Sequence, residues 1–356
     1  MKRTGDADKQ AWPARLVQAL ARHHVPLPLR HVIRLGVVAV VVEYLLVPQI
    51  AGTRRSWHLL VHANFYYLVA AAVAEAAALF VYAALTWQLL PEGQRPSFGR
   101  VLRIDLSTLA VSHVVPAGSA VGAGLGYHLL VDAGVDGVDA VSAKATQAVG
   151  SALVLNVLLW VSLAASIELH GFSTVYGPIA VVGLVLLTAA ATVVVLLRRR
   201  ERQTARMVGR LLGRLPLLTA PSVEAAVTSA AHYLRDFVSN RRRLLTSGTL
   251  AAGNWLLDAL ALWACVRAFG HALGPVGLLV PYGIANVLAA LPVTPAGLGV
   301  VEAFLIPALV GFGVPRGSAI LGVLAWRALS FLAPIPLGLA AYLSLPAEAA
   351  KAPVSG

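Results

Sequence analysis

The sequence is poor in charge, in cysteine and in recognisable catalytic motifs. Charged residues make up 12% of its 356 residues, against roughly 25% in a soluble domain. That is too little to coat a water-soluble globule of this size, and it excludes a disordered chain or a nucleic-acid-binding tail protein. Cys265 is the single cysteine, so an internal disulfide and a cysteine-built metal site are excluded. There is no GxSxG elbow, HExxH pair, P-loop lysine or GxGxxG turn, and no nucleophile constellation or nucleotide site is read. Residues 1–31 hold no apolar run, so no secretory signal peptide is read there.

What is present is hydrophobic sequence, 58% of the chain. Apolar runs long enough to cross a bilayer, about 20 residues, occupy 32–50, 65–90, 145–167, 175–197, 244–266 and 319–343. Two more runs, 106–131 and 276–313, are interrupted by proline and glycine. The expected fold is an all-α integral membrane protein with about six full transmembrane helices plus two broken or re-entrant segments, arranged with room for pseudo-symmetric halves. Residues 1–31 form a basic N-terminal segment, 32–345 a single polytopic membrane domain and 346–356 a short tail.

The net charge is +12, and it is clustered. Residues 1–34 carry seven Lys and Arg against Asp6 and Asp8. Residues 198–243 carry eleven Arg against Glu201, Glu224 and Asp236. Positive charge of this kind marks the cytoplasmic side. With both segments inside, the spans between them balance only if 106–131 enters and leaves on the same side. The order of Arg202, Arg206, Arg210 and Arg214 reads as one stripe of a surface-lying helix, drawn to anionic lipid. For 276–313, crossing and re-entering remain equally open.

The broken segments share a pattern. The first runs Val115-Pro116-Ala117-Gly118-Ser119-Ala120-Val121-Gly122 and the second Leu291-Pro292-Val293-Thr294-Pro295-Ala296-Gly297-Leu298-Gly299, followed closely by Glu302. Proline removes an amide donor, and backbone groups left unpaired in hydrocarbon survive only inside protein or beside water. Two such breaks point to a transporter-like site, with Pro116, Gly118, Gly122, Pro292, Pro295, Gly297 and Gly299 lining it. Ionisable residues inside apolar runs are costly and should face the bundle interior. They are Glu43, Glu75, Asp258, Glu302 and Arg327. Glu302 and Arg327 are expected to pair, as a clamp or as headgroup ligands, and Asp258 shares a helix face with Asn254. Glu43 and Glu75 are read as a proton or charge relay, with hydrogen-bonded structural carboxylates as the alternative. His113 and His128 lack carboxylates at ligand spacing, so no metal is expected, nor any cofactor.

The stretch Leu291–Glu302, followed by Gly311-Phe312-Gly313-Val314-Pro315 and Trp326-Arg327-Ala328-Leu329-Ser330-Phe331, resembles the C-terminal signature of the flippase-like family of the lysylphosphatidylglycerol synthase transmembrane region. Pro292, Pro295, Gly297, Leu298, Gly299, Glu302 and Arg327 match its pattern, while Ala296 replaces a common glycine. In the first segment many members have Gly-Glu followed by arginine, where this chain has Gly122-Ala123 and no arginine. The resemblance spans roughly 32–345. It implies a multi-pass protein of the bacterial inner membrane that moves a phospholipid, aminoacylated lipid or polyprenyl-linked lipid between leaflets. The last span ends near Leu345 and only about eleven residues follow it, so the synthase domain, and with it aminoacyl-lipid synthesis, is not expected. The competing readings are a membrane-embedded glycosyl- or phospho-transferase acting on a polyprenyl lipid and a non-catalytic subunit of an envelope-assembly complex. Expected partners are membrane lipids, anionic lipid at 198–243 and an envelope-biosynthesis enzyme, with no nucleic acid.

Overall fold

A computed structural model describes residues 63–115, 118–170, 239–289 and 297–345, together with positions 184, 188, 192 and 237. By its internal contacts the chain divides into one unit of 1–52 with 194–235 and another of 53–193 with 236–356, and the described residues all lie in the second. The runs at 32–50 and most of 175–197, the basic segment through 236 and at 238, and the N-terminal segment and tail lie outside the described residues.

Every regular element among the described residues is a helix: α1 (Phe65–Leu89), α2 (Phe98–Val114), α3 (Gly118–Asp132), α4 (Gly137–His170), α5 (Arg241–Ala268), α6 (Pro275–Ala289), α7 (Val300–Gly311), α8 (Arg316–Arg327) and α9 (Pro334–Ser344). The protein is an all-α membrane protein. Four stretches are long and apolar enough to span a bilayer: α1, Gly137–Glu168 of α4, α5, and Arg316–Ser344, which joins α8 to α9.

Local sequence sets the ends of these helices. Asn64 caps α1 by accepting the Tyr66 amide at 3.1 Å, and Asn240 caps α5 by accepting that of Arg243 at 3.0 Å, the usual use of a short polar side chain at a helix start. At the other end of α1 the Arg243 guanidinium donates to the carbonyl of Leu89 at 2.6 Å. This contact fixes α5 antiparallel to α1, with the start of one beside the end of the other. Asn254 Nδ2 adds a bond to the Ala78 carbonyl at 3.0 Å midway along. The end of the bundle where α1 finishes also carries Arg95, Arg100, Arg103, Arg241 and Arg242, and is called the basic end below.

The run at 106–131 folds back. A Cβ on Gly118 would run into the Ser112 carbonyl, and one on Gly122 into the Ser112 hydroxyl. The open ends meet where Arg100 Nη2 donates to the Asp132 carbonyl at 3.3 Å. α2 and α3 are therefore the two legs of a hairpin that enters and leaves at the basic end, as the charge count required. At about 1.5 Å per residue, legs of 17 and 15 residues are roughly 22–26 Å long and stop short of a 30 Å hydrocarbon core.

The run at 276–313 folds back as well, which settles what the sequence left open. Gly277 near the start of α6 lies against Phe312 just past the end of α7, and at the other end a Cβ on Gly297 would strike Ala289. This second hairpin opens at the opposite end of the bundle. There α5 ends, and Ser318 of α8 donates to the Phe269 carbonyl at 2.9 Å.

Two boundaries differ from the sequence reading. α4 starts eight residues earlier than the apolar run because its first turns carry a polar buried face, Ser142, Gln147 and Ser151, that hydropathy alone discards. The last span is not one α-helix. Pro334 has no amide to donate and its ring would crowd the carbonyl four residues back. The chain widens over Ala328–Leu332 into a π turn closed by Ala333 N–H to the Ala328 carbonyl at 2.9 Å. Such turns occur mostly as single insertions, often at functional sites. α9 then packs on α2 so closely that a Cβ on Gly338 would meet the Leu106 carbonyl and lie 2.5 Å from Ala110 Cβ. We expect Gly338→Val to cost about 1–3 kcal/mol by overpacking. Thermal unfolding in detergent would show a lowered midpoint, and an unchanged midpoint would refute the close α2–α9 contact.

Candidate functional site

The tips of the two hairpins converge on the π turn. Arg327, the last residue of α8, stands about 16 Å along the Arg316–Ser344 stretch at 1.5 Å per residue, close to its middle. Its Nε donates to Glu302 Oε1 at 2.6 Å, and Glu302 is 4% exposed and the Arg327 side chain 12%. Glu302 lies in the first turn of α7, and its Oε2 accepts the Gly299 amide at 2.7 Å. One carboxylate thus caps the helix that starts at the second break and holds the guanidinium of the last span. Gly297 and Gly299 have φ of 70° and 80°, a left-handed conformation that only glycine adopts without strain. This is the physical reason for glycine at both positions of the second motif.

From the first hairpin, His113 reaches the same place. Its Nδ1 lies 3.0 Å from the Phe331 carbonyl in the π turn. Its ring stacks on that of Phe331 at 4.7 Å between centroids, and the Arg327 guanidinium sits 4.9 Å from the same ring. Carbonyls in a π turn are poorly used by the helix, so a side-chain partner at Phe331 stabilises the widening.

One residue before Arg327, Trp326 turns to the other side. Its Nε1 donates to Asp258 Oδ1 at 2.6 Å, and the Tyr282 hydroxyl donates to Asp258 Oδ2 at 2.7 Å. The Asp258 carboxyl is also within hydrogen-bonding reach of Glu75 on α1. Asp258, Glu75 and the Glu302–Arg327 pair form one interior group drawn from α1, α5, α6, α7 and α8. It holds three carboxyl groups against one guanidinium.

Of the residues singled out from sequence, Gly118, Gly297, Gly299, Glu302, Arg327, Asp258 and Glu75 lie at the hairpin tips or in this interior group. Gly122 is turned onto α2, where its lack of a side chain admits Ser112. Pro116, Pro292, Pro295 and Glu43 lie outside the described residues. Glu75 faces Asp258 on α5.

A second buried cluster was not anticipated. Lys144 Nζ of α4 sits 2.5 Å from Asp105 Oδ1 of α2, and Asp105 Oδ2 accepts the Thr86 hydroxyl of α1 at 2.6 Å. Gln147 Nε2 donates to Thr86 Oγ1 at 2.8 Å, and its Oε1 accepts from Lys144 at 3.1 Å. This cluster ties the first hairpin to α1 and α4. Asp105 and Lys144 each fall one residue outside the apolar runs, which is why a search for charges inside those runs passed over them. Tyr282 and Trp326 were missed because an aromatic residue in an apolar run gives no sign of the polar end it presents.

Among known proteins, a family model described as "Lysylphosphatidylglycerol synthase TM region" matches residues 32–338. The inner membrane protein YbhN of Escherichia coli (strain K12) is 31% identical over 102 residues, which are 29% of this chain and 31% of that protein. A UPF0104 membrane protein of Methanothermobacter thermautotrophicus is 23% identical over 329 residues, 88% of this chain and 93% of that protein. The chain thus spans about a third of the first relative's length and nearly all of the second's.

Proposed function

Because the matched stretch covers most of the chain, the protein belongs to the family of the lysylphosphatidylglycerol synthase transmembrane region, and we propose that it moves an amine-bearing phospholipid between the leaflets of the bacterial inner membrane. The observation that carries this reading is the meeting of two hairpins, entering from opposite ends of the bundle, at the Glu302–Arg327 pair. Opposed broken helices that meet midway are the arrangement by which transporters expose one site to either side.

The chemistry of the meeting point fits such a headgroup. Arg327 offers a forked donor suited to phosphate. The N-termini of α3 and α7 both start at the tips, and their partial positive charges favour an anion in the same place. The excess of carboxyl groups, Glu75, Asp258 and Glu302, favours an amine. The headgroup would exchange its water for these groups while the acyl chains stay in the bilayer. We assign the basic end to the cytoplasm by the positive-inside rule.

The test uses purified protein in vesicles of phosphatidylglycerol containing a trace of phosphatidylethanolamine or lysylphosphatidylglycerol. A membrane-impermeant amine reagent reports the outer leaflet. Inner-leaflet amine lipid should become reactive faster than in protein-free vesicles, with unchanged mass. Movement no faster than in protein-free vesicles would refute the proposal, and a change of lipid mass would make the protein a transferase.

A further inference from the structure

We propose that the Glu75–Asp258 carboxyl pair is a proton-binding site that exchanges its proton for the headgroup amine, so that the protein is a proton–lipid antiporter. The inference rests on the lipid-moving reading above and supplies its driving force.

Three observations converge on the pair. First, the two carboxyl groups are within hydrogen-bonding reach of each other. An ionised carboxylate has only acceptors, so a contact between two of them requires a proton on one. Second, Glu75 is 8% exposed, and its buried Oε2 has no hydrogen-bond partner among the described residues. A buried ionised oxygen left unmatched is costly, and a proton on the Glu75 carboxyl removes the charge that would otherwise be buried there. Third, Asp258 is the better supplied with donors of the two. Asp258 accepts from the Tyr282 hydroxyl and the Trp326 indole, donors that stabilise a carboxylate, whereas the buried Oε2 of Glu75 has none among the described residues. The proton therefore resides on Glu75.

The groups around the pair are few. α5 contributes Asp258 itself and, further along, the Cys265 thiol. α6 contributes Tyr282, and α8 contributes Trp326 and Arg327. Glu302 of α7 is neutralised by Arg327, and His113 of α2 faces Arg327 and the π turn. No further cation among these groups stands ready to replace the proton. With one proton the pair carries a single negative charge, which a second proton or the amine of a bound headgroup would neutralise.

Both cations claim the same two carboxyl groups, so binding of one favours release of the other. When the amine arrives, the Glu75 proton leaves to the side on which the site is open, and both carboxylates face the ammonium. When the lipid leaves, one proton returns. The link to the phosphate end of the headgroup is short, because Trp326 on Asp258 and Arg327 on Glu302 are consecutive residues at the mouth of the π turn.

The test follows amine-lipid distribution in the same vesicles under an imposed pH difference, with the membrane potential held at zero by potassium and valinomycin. One proton exchanged per lipid supports, for each unit of pH difference, on the order of a tenfold enrichment in the leaflet facing the acidic compartment, since one unit is a factor of ten in proton activity. Glu75→Gln should abolish that enrichment. Infrared difference spectra of detergent-solubilised protein should show a protonated-carboxyl band that disappears on adding an amine lipid and is missing from Glu75→Gln. This second readout does not depend on transport. Lipid movement with no enrichment under the gradient would overturn the antiport while leaving lipid movement intact. Absence of movement with or without the gradient would overturn both. Enrichment that survives in Glu75→Gln and in Asp258→Asn would place the proton elsewhere and overturn the assignment of the pair.

Discussion

Arg327→Met is expected to bring lipid movement down to the rate of protein-free vesicles. It is also expected to cost about 3–5 kcal/mol of stability, the range for removing one member of a buried ion pair. Glu302, 4% exposed, would be left among the described residues with the Gly299 amide as its partner. The two effects can be separated. Glu302→Gln removes the charge but keeps an oxygen for the Gly299 amide, so α7 should retain its start. That variant should fold with a smaller loss than Arg327→Met and still move lipid at least about tenfold more slowly, because the guanidinium loses the Glu302 carboxylate that ties it to the start of α7; an interaction of 1.4 kcal/mol is tenfold in rate. Arg327→Lys keeps a charge but not the fork and should fall between. Wild-type movement in Arg327→Met would show that the headgroup passes elsewhere.

Lys144→Met is the second large effect, and it falls on the other buried cluster. Asp105 is 3% exposed, and without Lys144 its remaining hydrogen-bond partner among the described residues is the Thr86 hydroxyl. The expected loss is again about 3–5 kcal/mol, seen as a lower unfolding midpoint in detergent. The double variant Lys144→Met with Asp105→Leu should recover most of it, since replacing both members of a buried pair by apolar side chains is often neutral. The cluster holds the leg of the first hairpin to α1 and α4, away from the tips. The double variant should therefore still move lipid. If Lys144→Met alone unfolds at the wild-type midpoint, the pair does not hold the hairpin in place.

Much of the architecture follows from patterns visible in the chain. Apolar length located α1, α4, α5 and the α8–α9 stretch, because a bilayer imposes that length on any helix that crosses it. Counting charge required 106–131 to fold back before any geometry was known, and the Arg100–Asp132 contact shows the two ends of that hairpin together. The Glu302–Arg327 pair could be read because two opposite charges in separate apolar runs have little else to bind.

Other features had no such signal. The 276–313 run carries too few flanking charges for a parity argument, so its hairpin had to be seen through Gly277 against Phe312 and Gly297 against Ala289. The π turn depends on what Pro334 does to a carbonyl four residues back. Proline within a span was noticed at the two breaks but not there. The partnership of Glu75 with Asp258 is a tertiary fact: 183 positions separate them in the numbering, and only the antiparallel packing of α1 on α5 brings them together. Helix periodicity paired Asp258 with Asn254, whose amide instead ties α5 to the Ala78 carbonyl.

The most direct measurement places the lipid itself. A phospholipid with a photoreactive group in its headgroup, reconstituted with the protein and activated by light, should label residues of both hairpin tips and the π turn. Peptide mass spectrometry should find it around Ser112–Ser119, Gly297–Glu302 and Ala328–Leu332, and an excess of unlabelled amine lipid should suppress it. Labelling confined to the outer helix faces, such as Val73 of α1 and Val161 of α4, both 63% exposed, would contradict a headgroup site between the two hairpins.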